Sequence, residues 1–294
     1  MSEKELYPFQ SKKFELAGGQ KLAYIDEGDQ SGDKPCLLMV HGNPTWSFYY
    51  RNLVKDFSNS FRCIALDHIG CGYSDKPQDY NYTLAQHVDN LCALVEHLKL
   101  KNVVMVIHDW GGAIGMGYAT RYPESIKALL ILNTAAFFSS RIPFRIQMCR
   151  IPLIGTLINR GLNGFALAAV TMATAKGKSL PVEVAKKLVS PYDTWSNRVA
   201  IDAFVKDIPT NENDPAFAPI KEIEEKLSVF KDTPKMMLWG GQDFCFNDSF
   251  YEKWLQIFPN IDAHKYEDGG HYVLEDCYAD IKTRLEKFLA QLPD

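Results

Sequence analysis

Residues 101–120 constrain the fold of this chain more than any other stretch. Lys101-Asn102-Val103-Val104-Met105-Val106-Ile107 is a β-branched, apolar run of strand length. It halts at His108-Asp109-Trp110. Gly111-Gly112-Ala113-Ile114-Gly115-Met116-Gly117-Tyr118-Ala119-Thr120 follows at once and reads as a tightly packed helix. A buried strand, one polar residue and an immediate helix require a sharp turn. The glycines let the backbone make it and let helix and strand approach closely. Asp109 stands at the corner, at a helix N-terminus whose dipole favours its anionic form. Two roles fit it on this stretch alone: a nucleophile at an elbow, or the N-cap of an ordinary βα unit.

The flanking segments repeat the alternation of strand and helix. Further strands are expected at Lys21–Gly28, Cys36–Val40, Phe61–Leu66, Lys127–Leu132, Lys235–Trp239 and Asp262–Tyr266. Helices are expected at Trp46–Phe57, after the capping box Thr83-Leu84-Ala85-Gln86, at Asp248–Phe258 with Asp248 as N-cap, and at Glu275–Leu292. Asp29–Pro35 is a turn cluster. Such alternation implies an α/β chain with a mostly parallel, doubly wound sheet. From about Phe138 to Lys231 the strand pattern stops. Helical apolar spacing there is punctuated by prolines from Pro143 to Pro219. This divides the chain into a core, 1–137 and 232–294, and a helical cap, 138–231.

Ligands of such sheets bind beyond the carboxyl ends of the strands. Asn43, Asp109, Asp243 and His271 all fall at strand ends. Asp109, then Asp243, then His271 is the nucleophile–acid–histidine order of the α/β-hydrolase arrangement. With a reference pKa of about 3.9, a carboxylate is ionised at neutral pH and attacks without a base. His271 is then left to deprotonate a water that attacks the covalent ester. Asp243 would hold the imidazole tautomer and stabilise its cation. The backbone N–H of Trp110, and one from His41-Gly42-Asn43, are expected to receive a developing anion. The Trp110 indole N–H and the Asn43 amide are side-chain donors beside them, uncharged and suited to a halide or a carboxylate-like leaving oxygen. His41 and His108 read as orienting or packing residues, and His68, His87, His97 and His264 as surface or structural ones. Tyr192 and Trp195 either line a pocket or pack within the cap.

The formal net charge is -4, which leaves no basic footprint for nucleic acid or an anionic membrane. Seven scattered cysteines, odd in number and without CxxC spacing, suggest neither a disulfide framework nor a zinc site. Most lie in apolar runs and are expected to be buried thiols, as in a reducing, cytoplasmic compartment. No metal or cofactor is expected. The charged N-terminus, Met1 to Pro8, lacks the apolar core of a signal peptide. No run reaches the roughly 18 apolar residues of a transmembrane span. Gly164 to Ala175 is the longest small-apolar run, and either lines a chain-binding cavity or forms cap core.

His41-Gly42-Asn43-Pro44-Thr45 together with His108-Asp109-Trp110-Gly111-Gly112 resembles the haloalkane dehalogenases. In that family the carboxylate displaces halide and an Asn–Trp pair cradles the ion. Epoxide hydrolases share the His-Asp-Trp-Gly elbow but usually carry an aromatic residue where Asn43 stands. One dehalogenase subgroup places its acid, a glutamate, after the sixth strand. That position falls near Asn133 here, so the acid role passes to Asp243. A wider resemblance runs through Asp67 to Pro77, Leu132 to Phe137, Pro191 to Arg198, Phe204 to Pro209 and Gly270 to Asp276. These blocks resemble the β-lactone decarboxylases of bacterial long-chain olefin biosynthesis, relatives of the dehalogenases. The resemblance implies an α/β-hydrolase fold with its helical cap inserted after the sixth strand. It implies conversion of cis-3,4-dialkyl β-lactones to long-chain cis-alkenes and CO2. It also implies work beside thiolase-like, lactone-forming and reductase enzymes. Dehalogenation to alcohol and halide is the alternative, since both families share the elbow and triad.

Overall fold

The computed structural model describes residues 3–31 and 34–293. Met1 and Ser2 of the charged N-terminus, Gly32 and Asp33 of the expected turn cluster, and Asp294 lie outside the described residues. Eight strands form one sheet: β1 (Lys12–Glu15), β2 (Lys21–Glu27), β3 (Cys36–Val40), β4 (Arg62–Asp67), β5 (Val103–Asp109), β6 (Ile126–Thr134), β7 (Lys235–Gly240) and β8 (Asp262–Tyr266). Their spatial order is β1-β2-β4-β3-β5-β6-β7-β8. β1 and β2 are antiparallel to their neighbours, and every pairing from β4 to β8 is parallel.

Continuous apolar runs form the central strands because both faces of the sheet are covered. Alternate residues serve opposite faces. Leu38, Val40, Met105 and Ile107 pack with the helices Leu84–His97 and Trp110–Ala119. Leu37, Met39, Val104 and Val106 pack with Arg51–Phe57 and with Ile281 and Leu285 of the last helix, Tyr278–Ala290.

Most expected elements stand where their patterns lie. β1 is an addition to them, because Lys-Lys-Phe-Glu is short and charged and shows no strand signal. Those are the properties that protect a sheet edge from further pairing. Lys12 also anchors it to Asp26 of β2 at 3.2 Å, and Arg62 holds the same carboxylate from β4 at 2.9 Å. With β1 counted, the helical insertion follows the sixth strand. The helix expected from Trp46 opens as a 3-10 turn, Ser47–Tyr50, before Arg51–Phe57. The last helix is broken at Cys277 into Val273–Asp276 and Tyr278–Ala290. Asp248 is not an N-cap: Asn247 takes that place and accepts the Ser249 N–H. Three of the seven cysteines, Cys36, Cys63 and Cys71, are buried, and the other four are only half-buried.

Between Thr134 and Lys235 the described residues contain helices and turns but no strand. Pro143 and Pro181 stand immediately before helices, where a fixed φ and a missing N–H cost least. Asp207 accepts the Leu84 N–H at 2.7 Å, and the Trp46 indole donates to the Leu188 carbonyl at 3.2 Å. Both bonds tie this insertion to the sheet-bearing part of the chain. No described helix is long and apolar enough to cross a membrane.

Arg51 and Glu275 form a buried, two-pronged ion pair, 2.6 and 2.8 Å. It fastens the helix after β3 to the segment that follows His271. Breaking one side of such a pair strands a buried charge. Arg51→Met is expected to lower unfolding free energy by about 3–5 kcal/mol. Adding Glu275→Leu should recover most of that loss, as read by urea denaturation in a double-mutant cycle.

Candidate active site

Asp109 ends β5 with φ +52° and ψ −131°, a conformation few non-glycine residues adopt. Space for it comes from its neighbours. A Cβ on Gly111 would overlap the Val40 carbonyl oxygen, and one on Gly112 would overlap Thr134 Oγ1. The Thr134 hydroxyl donates to the Asp109 carbonyl. β3 and β5 pair in parallel, Val40 opposite Ile107, so the loops leaving them run side by side. Gly42 then approaches Asp109 so closely that a Cβ would collide with Oδ1. The next residue, Asn43, donates its backbone N–H to that oxygen at 2.6 Å.

The backbone donors therefore hold the carboxylate of Asp109, not a leaving group as expected. The N–H of Trp110, at the start of the helix, also favours the charged form of that carboxyl. The reason is chemical: a carboxylate brings its own second oxygen, and that oxygen fills the anion-binding corner. Oδ2 lies 3.7 Å from His271 Nε2. His271 Nδ1 donates to Asp243 Oδ2 at 2.7 Å. Asp243 Oδ1 accepts the N–H groups of Cys245 and Phe246, at 2.7 and 3.1 Å. Asp109, His271 and Asp243 are thus brought into one line.

Around that line, His108 Nε2 donates to the His271 carbonyl at 2.8 Å, which fits its reading as an orienting residue. Phe246 stacks on the His271 ring, 5.7 Å between centroids and 13° between planes. Sequence reasoning misses Phe246; only its spacing from Asp243 marks it. Asn133 stands where an alternative acid would be. Its amide bridges both backbone groups of Gly240, at 3.0 and 2.8 Å, and so pins β7 just before the Asp243 turn. His41, His68 and His87 are buried and structural. Burial holds His68 down at about 4, against the pull of its bond to His41.

A cavity of about 310 Å³ opens above the carboxylate. Asn43, Asp109, Trp110 and His271 supply its polar floor, and its other walls are mostly apolar. Phe165, Ala168, Ala169 and Met172 line it, so the Gly164–Ala175 run faces the cavity. Tyr192 and Trp195 do not. Tyr192 is buried against Thr45 and Trp195 is half-exposed. The Asn43 amide donates to the Ile201 carbonyl at 3.2 Å, which leaves one of its hydrogens uncommitted. The Trp110 indole N–H takes no acceptor among the described residues.

Burial pushes the Asp109 carboxyl up, and the His271 charge and the N–H groups of Trp110 and Asn43 only partly offset it. Burial pushes His271 down, but Asp243, by charge and hydrogen bond, and then Asp109 outweigh it, so the imidazole is raised above 6.5. Both neighbouring carboxylates favour the charged form of the ring.

The fold and this elbow define the α/β-hydrolase class, and residues 35–152 match the α/β hydrolase fold family. A crystal structure of a haloalkane dehalogenase from Bradyrhizobium elkani superposes with a TM-score of 0.86, covering 97% of this chain and 98% of that one at 23% identity, a likeness of fold. Two curated relatives are closer in sequence. The cis-3-alkyl-4-alkyloxetan-2-one decarboxylase of Shewanella oneidensis is 42% identical over 97% of this chain and 90% of its own length. That of Xanthomonas campestris is 35% identical over 98% of both. The chain belongs to the family of these decarboxylases.

Removing the Asp243 charge takes away the main cause that raises His271 and leaves burial, the largest effect, opposed chiefly by Asp109. In Asp243→Asn the His271 ring should titrate below 6.5, and in the unmutated protein above it. NMR of ring-labelled histidine reads both; a titration unchanged by the substitution would show that the pair does not set the charge of His271.

Proposed function

We propose that this protein decarboxylates cis-3,4-dialkyl β-lactones to cis-alkenes and CO2, with Asp109 as nucleophile. The observation that carries this reading is a carboxylate with one oxygen held by a backbone N–H and the other turned towards His271, on the floor of an apolar cavity. Membership of the decarboxylase family supports it. Residues 138–231 act as a cap that encloses the alkyl chains, and 1–137 with 232–294 form the catalytic core. The free cysteines support a cytoplasmic location. A strained lactone also requires an upstream lactone-forming enzyme, so other olefin-biosynthesis enzymes are its functional partners.

In this reading Asp109 attacks the ring carbon that bears oxygen. The C–O bond breaks with inversion, an ester to Asp109 forms, and the ring oxygen leaves as a carboxylate. The Trp110 indole N–H and the free Asn43 amide hydrogen receive that oxygen. The C–C bond to the carboxylate then breaks, and its electron pair forms the alkene as the Asp109–carbon bond breaks. CO2 departs and the Asp109 carboxylate is restored. Inversion followed by anti elimination keeps the cis geometry. Cationic His271 and the N–H of Asn43 stabilise the charge returning to Asp109. Asp243 keeps His271 oriented and charged. No water enters the products.

Dehalogenation is the second reading, favoured by the same two uncommitted donors as a halide cradle. It needs water to hydrolyse the Asp109 ester. A single turnover in oxygen-18 water separates the two. Decarboxylation of a cis-β-lactone should leave the Asp109 peptide unlabelled, whereas hydrolysis of an ester formed from 1-bromobutane would place the heavy oxygen in it. Bromide release with no alkene from the lactone would overturn the proposal. Asp109→Asn should lower alkene formation by about ten-thousand-fold or more. Ala169→Trp should raise KM for long-chain lactones more than it lowers kcat on short ones, measured by alkene release.

A further inference from the structure

Residues 138–181 contain six basic residues (Arg141, Arg145, Arg150, Arg160, Lys176 and Lys178) and no acidic one. The whole chain, by contrast, carries a formal net charge of -4. The same segment bares large apolar side chains. Leu153 is 86% exposed and Phe144 73%, and Ile154, Leu157, Leu162 and Leu167 are exposed beside them in sequence. Leu153 is lifted outward at the centre of a three-residue turn, φ +65° and ψ −53°, closed by the Ile154 N–H on the Pro152 carbonyl at 2.8 Å. Arg141, Arg145 and Arg160 have no carboxylate within ion-pair distance among the described residues. Arg145 reaches Met172 Sδ, and Arg160 reaches Gln78 and lies over the Trp195 ring. The inward side of this segment, through Ile146, Ile158 and Phe165, lines the cavity.

Exposed leucines interleaved with basic side chains are the composition of a surface that lies in a lipid interface. Arg150 pairs with Asp214 and Lys178 with Asp268, so the charge left to face anionic headgroups is that of Arg141, Arg145 and Arg160. We propose that this face of the cap seats on an anionic phospholipid bilayer, with Leu153, Ile154 and Leu157 at the acyl boundary and the arginines against phosphates. The protein lies on the membrane and does not span it. If the substrate carries long alkyl chains, which rests on the proposed function, the same contact brings the cavity to where such chains dissolve.

Sedimentation with vesicles of phosphatidylglycerol and phosphatidylcholine, and with phosphatidylcholine alone, tests this on the full chain. Binding should be about tenfold or more stronger to the anionic vesicles and should fall as salt is raised. Leu153→Glu with Leu157→Glu should weaken it about tenfold or more. Neither leucine lines the cavity, so circular dichroism and turnover of a short, soluble lactone should be unchanged. Arg160→Glu should weaken vesicle binding without touching the leucines. Equal binding to both vesicle types, no binding, or binding unaffected by these substitutions would overturn the proposal. A dimer that the leucine variants convert to monomer would assign the face to a second copy instead. Vesicle binding is read without any turnover, so its failure is separate from failure of the proposed reaction.

Discussion

The bond from the Asn43 N–H to Asp109 Oδ1 depends on the whole architecture behind it. It requires two loops to meet, and they meet because β3 and β5 are parallel neighbours although β4 lies between them in sequence. It requires Asp109 to hold a positive φ, a strain of about 1–3 kcal/mol that surrounding structure has to over-determine. Glycines at 42, 111 and 112 vacate the space, and Thr134, from the next strand, holds the Asp109 carbonyl. The Asp109 carboxylate is therefore positioned by segments remote in sequence and cannot relax by moving one of them.

Much of this was legible in the sequence because the signals are local. A strand that stops at Asp109 and a glycine-rich helix that begins at Trp110 leave few geometries. The order Asp109, Asp243, His271 follows from strand ends. What was not legible depends on atoms meeting across the fold. That Asn43 and Trp110 would use their backbone N–H groups on Asp109 itself follows from a register, not from a motif. Tyr192 and Trp195 carry no sequence mark that separates a buried packing ring from a cavity wall. β1 is hidden because its polar residues protect an edge, and polarity masks the alternation that reveals other strands.

Net charge misleads in a similar way. A total of -4 averages over segments with different surroundings, and the first half of the helical insertion departs from it in sign. That half has two faces with one composition rule. Most inward residues are small or apolar, with Arg141 and Arg145 reaching the cavity's edge, and the outward ones include large exposed apolar side chains. A helix packed only against the core would present polar residues outward. The outward leucines are thus a second demand on the same segment, independent of the chemistry below it.

The charge state of His271 bears on which reaction such a site favours. Hydrolysis of an ester asks the imidazole to be neutral, so that it can take a proton from water. Elimination asks for a lasting positive charge, because the group that departs from carbon is the Asp109 carboxylate itself. In the ester Asp109 is uncharged, so Asp243 alone, by charge and hydrogen bond, opposes the burial of His271, and Asp109 joins it as its carboxylate is released. The cavity's apolar walls act in the same direction. In the proposed reaction the carboxylate formed by ring opening has only the two uncharged donors of Trp110 and Asn43, and losing CO2 returns its charge to Asp109, beside the Asn43 N–H and the His271 ring. On that route the buried charge would pass from neutral donors to a position beside a charged ring, a difference that favours the alkene.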